Sequence, residues 1–181
     1  MDTHSLNHPL PPELTVRDAL DVYLTENGFN RDYDAPSLSV NFFGVRFKIP
    51  NPPSRKLAGR YHDLHHLVTG YGTDPTGESE TSAWEIRRDI SVFSPYIWML
   101  VFGGLMFGLL HSPRAAYAAW RASEMGHPLP KPSIEHYEHC LQMTLGALRH
   151  RYGLPKEGIA GRRHLHLDAP CAETDHRHLR R

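Results

Sequence analysis

Apolar residues recur along the chain at two periods, and the switches between them predict the elements. Residues 1 to 13 hold three prolines and no period, the pattern of a loose arm. Thr15, with Asp18 three residues on, reads as a helix N-cap, followed by Leu20, Tyr23 and Leu24 at helical spacing and Gly28 as terminator. Alternation then takes over: Leu38 and Val40, next Val45, Phe47 and Ile49, which predicts a small β-hairpin turning at Phe43-Gly44 and ended by Pro50, Pro52 and Pro53. Helical spacing returns at Leu57, Tyr61, Leu64 and Val68, with Ser54 as the expected cap and Gly70 as the stop. Residues 71 to 77, YGTDPTG, read as turn throughout, so the next helix is expected from Glu78 to Ile90. Ser112-Pro113 opens a helix that Gly126 closes, and Ser133 caps one last helix carrying Ile134, Tyr137, Leu141, Leu145 and Leu148 as far as Gly153.

Between these lies Ile97 to Leu110, IWMLVFGGLMFGLL, apolar on every side. At about 1.5 Å per residue it falls short of the ~20 residues that a bilayer core requires. The expected reading is a buried central helix whose Gly104 and Gly108 admit a close neighbour; the sharper alternative is a half-inserted apolar hairpin or the wall of a lipid pocket, with Trp98, Phe102 and Phe107 as lipid-binding side chains. Together the elements predict an all-α class, a helical bundle with a small N-terminal hairpin, as one domain over residues 14 to 154. From Pro155 onward the Arg- and His-rich sequence predicts a disordered tail.

Composition narrows the function classes. The 181 residues carry 20 basic and 20 acidic side chains, a balance that argues against a nucleic-acid partner. Two cysteines cannot build a disulfide framework; Cys140 is expected free and buried and Cys171 inert. The start Met1-Asp2-Thr3-His4 has neither a secretory nor a mitochondrial pattern, so the expected setting is bacterial cytoplasm. The 14 histidines are the outlying number.

Two of those histidines have a geometry. In Tyr61-His62-Asp63-Leu64-His65-His66, His62 and His66 stand one helical turn apart and can converge on one ion, with Asp63 beside them and Glu78 arriving after the turn. His62, Asp63, His66 and Glu78 form a mixed imidazole and carboxylate set that suits zinc, iron or manganese better than magnesium or copper(I). His65 competes with His66 for the register. Glu85, one heptad beyond Glu78, is a candidate to orient a ligating histidine. Glu80, Arg87 and Arg88 are expected on the wet side. The spacing differs from an HExxH zinc protease by one methylene at Asp63, which shortens the reach of the general base, and an HD-type hydrolase would need His111, His136 or His139 as further ligands. The tail histidines His164, His166, His176 and His178 belong to a polar terminus.

The form His62-Asp63-x-x-His66, eleven residues, then Glu78 resembles the coenzyme Q (ubiquinone) biosynthesis protein Coq-four family. The likeness continues through Trp84-Glu85, the apolar glycine-containing segment, Ala118-Ala119-Trp120-Arg121 and Leu148-Arg149-x-x-Tyr152-Gly153-Leu154, over residues 55 to 154. It implies an all-helical fold with zinc at the four positions, a prenylated quinone precursor or other lipid in an apolar channel, and contact with other quinone-biosynthesis enzymes. It further implies ring carbon-one decarboxylation and oxidation, peripheral placement on the inner face of the bacterial inner membrane, and a homodimer as an admitted state. The alternative is a non-catalytic scaffold that organises those enzymes at the membrane. The FGVRFKIPNPP segment and the His-rich tail set this chain apart as a short bacterial branch.

Overall fold

A computed structural model describes residues 10–29, 33–42 and 45–160. The described residues form seven helices and one two-stranded hairpin, an all-α fold with a small β element. In order these are α1 (Val16–Glu26), β1 (Ser37–Phe42), β2 (Val45–Pro50), α2 (Pro53–Thr69), α3 (Pro75–Arg87), α4 (Pro95–His111), α5 (Pro113–Ala122), α6 (Ile134–Leu141) and α7 (Leu145–Arg151). The hairpin pairs antiparallel from Ser37 with Pro50 to Phe42 with Val45, so the expected hairpin is present. Phe43-Gly44, residues 1–9 and the tail histidines with Cys171 lie outside the described residues.

α1 starts as read. The Thr15 hydroxyl accepts the Asp18 amide at 3.1 Å and donates to the Asp18 carboxylate at 2.7 Å, a reciprocal cap. α2 starts one residue before Ser54, because Pro53 already has the φ of a first helical residue and Pro52 takes the cap position. It ends at Gly70, whose φ of 79° lets its amide return to the His66 carbonyl at 2.8 Å. α3 starts three residues earlier than expected. Asp74 caps it by accepting the Gly77 amide at 2.8 Å and Pro75 opens it, which places Glu78 inside the first turn. The expected last helix is two: Thr144 caps α7 through the Ala147 amide, and the break frees the Met143 carbonyl to accept the Val16 amide at 2.9 Å.

α3 is the central helix, buried from Ser79 to Glu85 and packed along both α4 and α5. Small residues make this closeness feasible. A Cβ on Gly108 would lie 1.8 Å from the Ser79 Cβ, and one on Gly104 would lie 3.0 Å from the Ser82 hydroxyl, so the GxxxG face of α4 meets the small face of α3 as expected. Central burial of α4 is overturned: only Ile97 and Gly108 are buried, while Met99, Phe102 and Leu110 are 62%, 57% and 81% exposed. Its glycine face contacts α3, and nothing among the described residues covers the opposite face. Glu80 and Arg88 are corrected in the other sense: both are buried, Arg88 lying over the Trp84 ring with its guanidinium donating to the Tyr152 carbonyl, while Arg87 is exposed as expected.

The core gathers Leu20 and Leu24 of α1, Tyr61, Leu64 and Val68 of α2, Trp84 of α3, and Leu145 and Leu148 of α7; Ile134 stands outside it. Both flanking segments are less loose than their composition suggests. The Pro12 carbonyl accepts the Gly146 amide at 2.8 Å, and the Thr69 carbonyl accepts the amides of Ile159 and Ala160 at 2.8 and 3.0 Å. Arg149, fully buried, donates to the carbonyls of Leu10, Lys156 and Leu67 and so binds both segments to α2.

Candidate metal centre

One turn of α2 brings the rings of His62 and His66 to a centroid distance of 4.7 Å, nearly perpendicular, and the first turn of α3 carries Glu78 up to them. The His62 and His66 Nε2 atoms are 3.1 Å apart; Glu78 approaches to 3.1 Å from His62 Nε2 and 3.5 Å from His66 Nε2. With bonds of about 2.0–2.1 Å, a tetrahedral zinc centre spaces its donors about 3.3 Å apart. The two imidazole nitrogens stand near that spacing, and Glu78 approaches them with different oxygens, Oε2 to His62 and Oε1 to His66, so the three residues form a group that could hold a metal ion.

Each imidazole is oriented by its other nitrogen. His62 Nδ1 donates to Glu85 Oε1 at 3.0 Å, and His66 Nδ1 donates to the Tyr71 carbonyl at 3.2 Å with the Thr81 hydroxyl at the same distance. Both rings are thus fixed in the tautomer that presents Nε2 to an ion, and Glu85 has the orienting place expected of it. His65 loses the register contest. It is buried, contacts Trp84 and Tyr152, and donates through Nδ1 to the same Glu85 oxygen at 2.6 Å.

Charge in this cluster is mutually held. Burial opposes the imidazolium of His62, but Glu85 and Glu78 outweigh it and raise its pKa well above 6.5. Burial likewise opposes the carboxylates, yet His66 and His62 hold Glu78 well below the usual range, and His62 and His65 do the same for Glu85. Burial lowers the pKa of His65, leaving it neutral.

Asp63, expected as a fourth ligand, is engaged elsewhere. Its two oxygens accept hydrogen bonds from the hydroxyls of Tyr23, at 3.4 Å, and Tyr33, and it is not among the three residues whose donor atoms cluster. Three protein donors, His62, His66 and Glu78, are thus brought together in a group that could hold a metal ion. The further histidines that an HD-type hydrolase would need are dispersed: His136 Nδ1 lies 2.8 Å from the Tyr61 hydroxyl, and His111 bonds the Phe107 carbonyl. Cys140 is free and buried as expected, 3.7 Å from His136 Nε2.

His62 and Glu78, but not His66, border a cleft of about 190 Å³. His62, Glu78, Ser82 and Glu85 line its polar side, and Phe93, Ile97, Leu100 and Val101 its apolar side. Trp98, Phe102 and Phe107 are not among the lining residues. Trp98 and Phe102 point outward, and Phe107 packs on His111. Sequence reasoning missed Tyr23 and Tyr33, which reach Asp63 from 40 and 30 positions away with no local signal, and Arg55 of the cleft lining, which stands two helical turns before His62 on the same face of α2, a spacing that could have found it. No protein-family description, curated protein or solved structure matches this chain.

Proposed function

We propose that the chain is a zinc-dependent protein that binds a prenylated quinone precursor and acts on its aromatic head, as the resemblance to the Coq-four family implies. One observation carries this reading: two oriented imidazoles and a carboxylate stand close enough together to share an ion, and two of the three, His62 and Glu78, line a cleft that also has a hydrocarbon wall. A zinc ion there would act as a Lewis acid toward a ring carboxylate or phenolate. His62, His66 and Glu78 hold the ion, Glu85 keeps His62 aimed, and Ile97, Leu100 and Val101 exclude water around the prenyl chain. The resemblance extends the reading to loss of the ring carboxyl as carbon dioxide and oxidation of the bared carbon, with dioxygen as external oxidant.

The outer face of α4 supports a peripheral membrane site. No helix among the described residues is long and apolar enough to cross a membrane. Residues 90 to 123 contain no carboxylate and only Arg114 and Arg121 as full charges, so the exposed ridge of Met99, Phe102 and Leu110 suits a lipid surface. The scaffold reading keeps this ridge and gives the ion a structural task.

Gentle purification followed by metal analysis and lipid extraction of the same sample tests the proposal. Zinc and a prenylated aromatic acid at near-stoichiometric amounts are expected; zinc with no lipid, and unfolding on chelation, would favour the scaffold.

A further inference from the structure

Arg55 is the unassigned group in the cleft. It stands in the first turn of α2 and lines the same space as His62, Glu78 and Glu85. Its one described side-chain hydrogen bond is a long one, Nη1 to Asn51 Oδ1 at 3.4 Å, and its buried Nε has no partner. No described carboxylate forms an ion pair with it, although Lys56 and Arg60 on the same helix both reach Asp34. Asn51 is itself anchored: 5% exposed, it donates Nδ2 to the carbonyls of Tyr33 and Ala35 at 3.0 and 2.8 Å, which turns Oδ1 toward the guanidinium.

With a divalent ion on His62, His66 and Glu78 the carboxylates of Glu78 and Glu85 would be matched and the Arg55 guanidinium would be surplus positive charge beside an apolar wall; with a proton on His62 instead the four charges cancel, and the unpartnered Arg55 Nε is what marks the site in both states. A partly buried cation with unused donors calls for an anion that can take a planar fork of hydrogen bonds.

We propose that Arg55 is the specificity-determining residue of this cleft: it receives the carboxylate or phosphate head of an amphiphile whose hydrocarbon chain lies against Ile97, Leu100 and Val101. The assignment deepens the proposed function by naming the residue that reads the anion, and it rests on the cleft being the ligand site, whichever ion occupies the centre.

Titration of the full chain with octanoate, octyl phosphate and octan-1-ol, followed calorimetrically in zinc-loaded and chelated samples, tests it. Arg55→Gln is expected to weaken octanoate or octyl phosphate by about 10- to 100-fold while octan-1-ol changes less than about twofold. The anion that loses more identifies the head group. Arg55→Lys, which keeps the charge but not the fork, is expected to recover part of the loss, and Arg114→Gln on α5 to change nothing. An equal loss for octan-1-ol would show that Arg55 only supports the fold, and unchanged binding of both anions would also overturn the assignment. The chelated arm separates the two readings: a chain that binds no zinc but discriminates through Arg55 refutes the metal centre alone, and a zinc-binding chain indifferent to Arg55→Gln refutes this assignment alone.

Discussion

The His62 ring stands between Glu85 and Glu78, and in the metal-free protein a proton does there what an ion would do. His62 gains affinity for that proton on folding, so its contribution to stability is full below its ordinary pKa of 6.5 and is lost as pH rises through the raised value. The carboxylates act oppositely: their contribution is present above the ordinary 4.5 and is lost as pH falls through the depressed values. Metal-free protein is therefore expected to melt highest between these limits. Zinc must displace the proton, so the rise in Tm on adding zinc should grow between about pH 5.5 and pH 8; equal rises at both would refute the competition. His66→Ala or Glu78→Ala should abolish zinc binding with the helical circular dichroism spectrum retained. Glu85→Gln should weaken zinc by about 10- to 100-fold against a competing chelator. The clustering of His62, His66 and Glu78 was legible in the sequence because a turn of helix and a short loop are local geometry. Asp63 misled because adjacent helical residues point about 100° apart, and the tyrosines that hold it arrive from 40 and 30 positions away.

At the scale of elements, the α3–α4 contact decides whether the centre has a roof. Gly108→Leu would drive a side chain into Ser79, and thermal melts should show a loss of at least about 1–3 kcal/mol. Gly103, one residue from the contact face, meets nothing within 4 Å, so Gly103→Ala should instead stabilise by about 0.5–1 kcal/mol. Opposite signs at neighbouring glycines are the test; destabilisation by both would mean that the outer face of α4 is covered. An apolar run without amphipathic period could not reveal this in sequence, since it states that the helix avoids water but not which side has a partner. Helix starts failed for a related reason. Asp74-Pro75 was read as turn chemistry, yet the same pair is the cap and first residue of α3. The apolar stripe of the last helix likewise continued across the Thr144 break, because Leu141 and Leu145 both reach the core from separate helices.

Across the whole molecule, one buried guanidinium organises the periphery. Arg149 serves three carbonyls from three parts of the chain, and Arg149→Met should cost about 3 kcal/mol or more by chemical denaturation, with the loss largest at residues 10–12 and 155–160 in hydrogen exchange. All-α architecture could be read from spacing alone, but this clamp could not, because a core arginine announces itself only through partners that are 139 and 82 residues distant. The clamp also bears on topology. Leu10 and Lys156 offer their carbonyls to the same nitrogen of Arg149, at 3.1 and 2.7 Å, so these two carbonyl oxygens lie within about 6 Å of each other. The chain therefore returns near its own start, and a circularly permuted chain that links Lys156 to Leu10 and opens between α5 and α6 should assemble the same centre from a different starting point.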